Sequence, residues 1–256
     1  MDHQDLGSSI QLNTNIKVED NTFTVPPHWF WNEYNTEGLE PDTLATFKKY
    51  INSSTHFIDI GAWLGVTSLY AISCGCKKIN AVEANPKSYS LITNMIELNN
   101  LQDAINTKNI CISDKNNQTV KFGIDTSSAS RISDAGQYTV QTQLLTSYIN
   151  EIKTSEYKDL FVKIDIEGAE SLIIDQIDKL IKDYSANIFL ALHPPFWKDK
   201  KITTSLIQHY FKDKNISLSD GDKISINKLN DMLLSKNKYP RWGTKFGNFF
   251  EILINE

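Results

Sequence analysis

HFIDIGAWLGVTSLYAIS, residues 56–73, is the stretch of sequence that decides the fold. Residues 56–62 are mostly apolar and predict a buried strand, and residues 65–74 predict a helix. Between them, Gly61 and Gly65 stand four residues apart and allow a tight turn. A buried strand that turns through glycine into a helix is typical of the first unit of an open α/β sheet.

The same alternation of strand and helix continues to the end of the chain. Because the connections are short, we expect an α/β, Rossmann-like fold with a mostly parallel sheet and helices on both faces. The strands are predicted at residues 56–62, 79–85, 105–113, 160–167, 187–194 and 246–255, with a short hairpin near residues 119–124. The helices are predicted at residues 41–50, 65–74, 86–100, 144–152, 169–183 and 204–212.

The N-terminal part of the chain differs in composition from the rest. Residues 1–25 are polar and weakly patterned, which predicts a loosely ordered arm. Aromatic residues then crowd ahead of the helix predicted at residues 41–50. We therefore expect an N-terminal arm with an aromatic, helical extension over residues 1–50, and the α/β domain over residues 51–256.

Composition and charge limit the classes of partner. The 256 residues carry a formal net charge of −5 with acids and bases mixed, so no basic stripe can follow a phosphate backbone. No apolar run is long enough to span a membrane, and the N-terminus lacks the apolar region of a signal peptide. We expect a cytoplasmic protein that binds neither nucleic acid nor membrane.

The three cysteines lack zinc or redox spacing, which predicts inert thiols and no metal site.

Two acids near the ends of the first two strands indicate the cofactor. Asp59 stands two residues before Gly61, and the loop matches neither the three-glycine dinucleotide pattern nor the P-loop. An acid there suits a cationic ligand group and would repel a pyrophosphate. Glu83 follows Gly61 by 22 residues, where an acid binds ribose hydroxyls. A ligand with a ribose and a cationic tail fits S-adenosylmethionine (SAM).

The segment VKIDIEGAE, residues 162–170, places charges in a strand that should be covered on both faces. Lys163, Asp165 and Glu167 alternate with apolar residues, so a strand would project all three to one face. Since unpaired buried charge is costly, we expect Lys163 to pair with a carboxylate while Asp165 and Glu167 reach an open cleft. Glu170 is predicted to be structural, in the first turn of the next helix.

These motifs resemble those of the FkbM-type group of class I SAM-dependent methyltransferases. The resemblance rests on residues 57–71, on AVEANP at 81–86 and, most specifically, on residues 162–170. It implies a seven-stranded sheet with an antiparallel last strand, and makes residues 51–256 the methyltransferase domain. It also implies methyl transfer to a hydroxyl of a sugar, a glycan or a secondary metabolite. The cofactor contacts that it implies are Asp59, Gly61, Ala62, Gly65, Glu83, Ala84, Ser113 and Asp114.

Three side chains are candidates for the base that takes the proton of the acceptor hydroxyl. They are Asp165, Glu167 and His193, the last at the end of the fifth strand. A histidine with an ordinary pKa would be largely neutral at physiological pH. In an alternative, Asp165 and Glu167 hold a divalent cation that lowers the pKa of the acceptor. The fifth strand departs from the pattern of the group, because Ala191 stands where relatives often have an acid.

Two other functions remain open at this stage. A nicotinamide-dependent oxidoreductase shares the acid that binds the ribose, but it should have the three-glycine loop. A non-catalytic SAM-binding protein would bind the cofactor without turnover. The sequence defines neither the small-molecule or glycan acceptor, nor the oligomeric state, nor the pathway.

Overall fold

The structure, a computed structural model, describes residues 12–37, 41–123, 130–152, 159–239 and 247–256. Its strands are β1 Thr14–Val18, β2 Asn21–Val25, β3 Thr55–Ile60, β4 Lys78–Val82, β5 Ile105–Lys108, β6 Cys111–Ser113, β7 Thr119–Phe122, β8 Tyr138–Leu144, β9 Asp159–Ile164, β10 Asn187–Leu192, β11 Asn215–Leu218, β12 Lys223–Ile224 and β13 Phe250–Asn255. Its helices are α1 Phe30–Glu37, α2 Pro41–Tyr50, α3 Val66–Ser73, α4 Pro86–Leu98, α5 Leu145–Glu151, α6 Ile174–Tyr184, α7 Lys200–Phe211 and α8 Ile226–Leu234. None of the helices so described is long and apolar enough to cross a membrane.

The main sheet confirms the predicted α/β fold. Its eight strands run in the order β12, β11, β13, β10, β9, β3, β4, β5. The pairs from β5 to β10 are parallel, and β13 lies antiparallel between β10 and β11. This is the expected arrangement with an antiparallel last strand, enlarged at one edge by the two-residue strand β12.

The central strands bury both of their faces, which divides the apolar core into two clusters. Ile58, Val162 and Ile188 belong to the cluster that packs against α5, α6, α7 and α8. Phe57 and Phe161 belong to the cluster on the opposite face, which packs against α2, α3 and the N-terminal segment. Because both faces are covered, a charge on one of these strands must be paired or must lie at a strand end.

The N-terminal segment is more ordered than its composition predicted. Residues 14–25 form an antiparallel hairpin of β1 and β2, so the prediction of a loose arm is wrong for this part of the chain. Ile16, Val18, Phe23 and Val25 are buried in the same cluster as α3 and α4. Two apolar residues on each strand are enough to order this short hairpin, because they pack against a core that the rest of the domain forms. Residues 1–11 lie outside the described residues.

Two predicted strands, the third and the fourth, end elsewhere than expected. The predicted third strand divides at residues 109–110 into β5 of the main sheet and β6 of a three-stranded sheet with β8 and β7. Residues 119–122 of the predicted short hairpin form a single strand, β7, which pairs with the later strand β8. The fourth strand, β9, ends at Ile164, so Asp165 and Glu167 lie in the loop after it and not on the face of Lys163. The following helix opens with a separate 3-10 turn, Ala169–Leu172.

Candidate active site

A cavity of about 370 Å³ lies at the carboxyl ends of β3, β4, β9 and β10. This is the edge at which ligands bind in open α/β sheets. Its wall includes residues 60–63 after β3, 82–84 after β4, 110–112 before and in β6, and 165–167 after β9. Trp29, Phe30 and Glu33 near the N-terminus, and Glu251 of β13, also line the cavity.

The turn after β3 lies in close contact with the loop after β9. Gly61 has a φ of 80°, and a Cβ atom there would lie 1.8 Å from the carbonyl oxygen of Asp165. Only glycine permits this approach, which joins the β3 loop to the β9 loop. Trp63 also has a positive φ, 50°, which is costly for a bulky residue. Its backbone N–H is held by the Glu83 carboxylate at 2.8 Å.

Glu83 is buried at the centre of this wall and is fixed through both of its oxygens. The backbone N–H of Trp63 donates to one, and the N–H of Asn85 donates to the other at 2.7 Å. Burial raises the pKa of Glu83 to about 7, although these two hydrogen bonds act to lower it. Each oxygen keeps a second lone pair that can accept a hydrogen bond from a ligand.

Asp59 lies behind the wall and is not among the residues that line the cavity. Its fully buried carboxylate accepts hydrogen bonds of 2.7 Å from the Thr67 and Ser68 hydroxyls at the start of α3. Its other oxygen is 3.4 Å from Lys163 Nζ. Direct contact between Asp59 and a cofactor, as the sequence suggested, does not fit this position. Asp59 instead fixes the helix that follows the glycine turn.

Lys163 is paired, as expected for a buried charge. Its Nζ donates to the carbonyl oxygen of Gly61 at 2.8 Å and lies 3.6 Å from Asp165 Oδ2. Burial acts to lower the pKa of Lys163, but the carboxylates of Asp59 and Asp165 outweigh it and raise that pKa. The side chain therefore stays charged and ties β9 to the glycine turn.

The other predicted cofactor residues divide into two groups. Ala62 and Ala84 line the cavity, whereas Gly65, Ser113 and Asp114 are not part of its described wall. Gly65 precedes α3 with a φ of 81°, and a Cβ atom there would lie 2.6 Å from Met95 Cε, so this glycine serves helix packing. The Ser113 hydroxyl donates to Asp114.

The three candidate bases lie close together at the carboxyl ends of β9 and β10. His193 follows β10, and its Nε2 lies 3.5 Å from Asp165 Oδ1 and 3.7 Å from Glu167 Oε2. Its Nδ1 is 3.3 Å from the fully buried carboxylate of Glu170. Glu170 also accepts hydrogen bonds from the backbone N–H of Gly168, the backbone N–H of His193 and the indole of Trp197. The structural role predicted for Glu170 fits these contacts.

The protonation states correct one expectation. Burial acts to lower the pKa of His193, but the hydrogen bond that it donates to Glu170 and the charges of three carboxylates raise it to about 9. His193 is therefore mainly a cation at physiological pH, and the expected neutral histidine is wrong. Burial, with the nearby Asp165 carboxylate, raises the pKa of Glu167 to about 7. Glu167 also has a strained φ of 51°.

Several residues at the cavity were missed by sequence reasoning. Glu251 lies directly opposite Ala191 across the β10 and β13 pair, and Thr43 donates to its carboxylate at 3.4 Å. The signal was a single acid in an otherwise apolar terminal strand. Trp29, 60% exposed, also lines the cavity, and it belongs to the aromatic residues that crowd ahead of α2 in the sequence. The Arg131 guanidinium lies 4.4 Å from the centre of the Phe196 ring, which packs 6.2 Å from His193.

Comparison with known protein families gives one decisive match. A sequence model described as the methyltransferase FkbM domain matches residues 55–218, which is more than half of the chain. The chain belongs to the FkbM methyltransferase family. The FkbM match contains the glycine turn, Glu83, the β9 loop and His193, whereas Trp29 and Glu251 lie outside it. A search of the curated proteins gave no match.

Several solved structures are similar to the chain at low sequence identity. The methyltransferase FkbM from Methylobacillus flagellatus KT is 14% identical with a TM-score of 0.50; the match covers 87% of this chain and 50% of that one. The M. jannaschii tRNA m1G37 methyltransferase is 13% identical with a TM-score of 0.46, over 96% and 55% of the two chains. The O-methyltransferase from Bacillus cereus, solved with SAH, is 11% identical with a TM-score of 0.46, over 85% and 82%. The chain thus spans about half the length of the first two proteins.

Proposed function

We propose that the protein is a SAM-dependent methyltransferase that transfers a methyl group to a hydroxyl of a sugar, a glycan or a secondary metabolite. The proposal rests on one observation, the cavity in which the Gly61 turn, Glu83 and the β9 loop face the same space. Membership of the FkbM family supports methyl transfer. The carboxylates at the β9 end support an acceptor that must lose a proton.

The described wall of the cavity fits SAM. Glu83 retains lone pairs for the ribose hydroxyls, and Ile110 and Ile112 supply an apolar surface beside it for the adenine. Asp165 and Glu167, at the other side of the Gly61 turn, favour a cationic group. SAM, when bound, supplies a sulfonium methyl group that is already activated for transfer.

The remaining work is done by the residues at the β9 end. They must hold the acceptor oxygen in line with the methyl group and accept its proton. Glu167, with a pKa of about 7, is available as a carboxylate at neutral pH and is our choice for the base. Asp165, half-exposed in the cavity, accepts a hydrogen bond from the acceptor hydroxyl and orients it. His193 contributes the positive charge that keeps the two carboxylates together.

Four further side chains of the cavity wall support a neutral, hydroxylated acceptor. Trp29 and Trp63 offer aromatic faces on which a sugar ring can pack. Glu33 and Glu251 add acceptors for hydroxyl groups and disfavour phosphate. We therefore propose that the acceptor is a small molecule or a glycan and not a nucleic acid. The charge of the chain, −5, agrees with this choice.

The test is transfer of label from methyl-tritiated SAM to a panel of neutral glycosides and hydroxylated aromatic compounds. Label should enter a hydroxyl of at least one class and should depend on the intact protein. If SAM binds but label enters no acceptor of the panel, the non-catalytic alternative gains support. If NAD binds in place of SAM, the result would favour the oxidoreductase alternative, although the chain lacks the three-glycine loop of that class.

We expect the rate of methyl transfer at saturating SAM to rise with pH, from about pH 6 to about pH 8. The base acts only after it loses its proton, and the pKa of Glu167 is about 7. The pKa of Glu83 is also about 7, but Glu83 is proposed to contact the cofactor, so its protonation should change SAM binding. Saturating SAM therefore removes the effect of Glu83 from the pH profile. Replacement of Glu167 by Gln should abolish the rise. A pH profile that is unchanged in Glu167→Gln would assign the proton to another group.

A further inference from the structure

Asp165, Glu167 and His193 have the spacing of ligands around one cation. One donor atom from each lies within 4.8 Å of the other two. Donors at about 2.1 Å from a cation lie about 3.0 to 3.4 Å apart in neighbouring positions and about 4.2 Å apart in opposite ones. The distances of 3.5 and 3.7 Å from His193 Nε2 to the two carboxylates therefore need only a small contraction.

The histidine is held as metal-binding histidines are held. Glu170 accepts from the Nδ1 side of the ring, which leaves Nε2 directed at the two carboxylates. A carboxylate on the far nitrogen fixes the ring and increases its strength as a ligand. Glu170 is itself fixed by the His193 backbone N–H and by Trp197. The orientation of His193 therefore does not depend on Asp165 or Glu167.

One ligand atom makes no hydrogen bond among the described residues. Glu167 Oε2 is buried and has no hydrogen-bond partner there, although its residue is strained into a positive φ. A buried carboxylate oxygen without a partner is costly, and a bound cation would remove that cost. The His193 side chain is 94% buried, since its exposed fraction is 6%. Asp165 is 38% exposed and gives the cation a path from the cavity.

We propose that Asp165, Glu167 and His193 form a site for one divalent transition metal ion, such as Mn²⁺, Fe²⁺ or Zn²⁺. One imidazole with two carboxylates suits these ions, whereas Mg²⁺ and Ca²⁺ prefer oxygen ligands alone. Three protein ligands leave coordination positions open toward the cavity, where an acceptor oxygen can bind. Binding of the ion displaces the proton from His193 Nε2 and makes Glu167 a ligand, so the cationic His193 and the base Glu167 of the proposed function describe the metal-free protein. The proposal concerns binding of the ion and does not depend on the proposed methyl transfer.

The test is a titration of the protein with Mn²⁺, in which electron paramagnetic resonance measures the free ion. We expect one bound equivalent, released by Zn²⁺ but not by a large excess of Mg²⁺. Asp165→Asn and His193→Ala should each weaken binding by about tenfold or more. Asp231→Asn, a matched change of an exposed aspartate on α8, should leave binding unchanged.

Three results would overturn the proposal. The first is absence of bound Mn²⁺ in the wild-type protein, and the second is binding that survives in Asp165→Asn. The third is equal displacement by Mg²⁺, which would mean an oxygen-only site elsewhere. Because His193 is buried, its variant can fail to fold; Asp165→Asn, on a partly exposed side chain, then decides alone. Binding of SAM, measured on the same samples, reports separately on the proposed function.

Discussion

Replacing Lys163 by Met should lower the free energy of unfolding by about 3–5 kcal/mol, because it leaves a buried carboxylate without its partner. Asp59 is fully buried, and the Lys163 ammonium 3.4 Å away is its neighbouring positive charge. The two hydroxyl donors, Thr67 and Ser68, would remain but carry no charge. The loss should also release the Gly61 carbonyl from Lys163 Nζ. Urea unfolding of the two proteins measures the difference.

The double variant Asp59→Asn with Lys163→Met is the matched control. Removing both charges avoids the uncompensated carboxylate, so the double variant should be more stable than Lys163→Met alone. A double-mutant cycle then isolates the interaction of the pair. A loss below about 1 kcal/mol in Lys163→Met would mean that the pair is solvated as surface pairs are, and would contradict its burial.

Replacing Asp165 by Asn should lower the rate of methyl transfer about 100-fold, which corresponds to about 2.7 kcal/mol. Asp165 is half-exposed in the cavity and lies 3.5 Å from His193 and 3.6 Å from Lys163. The amide keeps the size of the side chain but loses the negative charge that orients the acceptor hydroxyl. SAM affinity should stay nearly constant, because Glu83 and the Gly61 turn are unchanged and the Glu167 carboxylate still faces the cationic group of SAM.

Single-turnover rates and a SAM titration on the same Asp165→Asn sample separate these two effects. Asp231→Asn, on the exposed side of α8, serves as the control for a generic loss of charge. Normal turnover in Asp165→Asn would mean that Asp165 has only a structural role, in the ion pairs with Lys163 and His193. Loss of SAM affinity with the same rate at saturation would move Asp165 to the cofactor site.

The alternation of elements could be predicted from the sequence because strand and helix periods differ clearly in a buried α/β sheet. The end of β9 could not be predicted, since Asp165 and Glu167 continue the alternation of charged and apolar residues beyond the strand and into the turn. Glu167 takes a positive φ there, which residue type does not reveal. The hairpin at residues 14–25 was missed because its few apolar residues are buried only by long-range packing.

The site was predictable where the signal is local. Gly61 and Glu83 occupy the wall that the glycine turn and the strand end indicated. Asp59 shows the limit, since an acid before a glycine turn can serve the next helix as well as a ligand. The charge of His193 depends on three carboxylates 23 to 28 residues earlier in the chain, and only folding brings them to its ring.

Calorimetric titration with SAM, and with NAD in parallel, tests the central claim most directly. We expect one equivalent of SAM to bind, no binding of NAD, and affinity for SAM weakened about tenfold or more in Glu83→Ala, a loss of about 1.4 kcal/mol. Binding of SAM that is unchanged in Glu83→Ala would contradict the proposed position of the ribose. Absence of SAM binding in the wild-type protein would contradict the account as a whole.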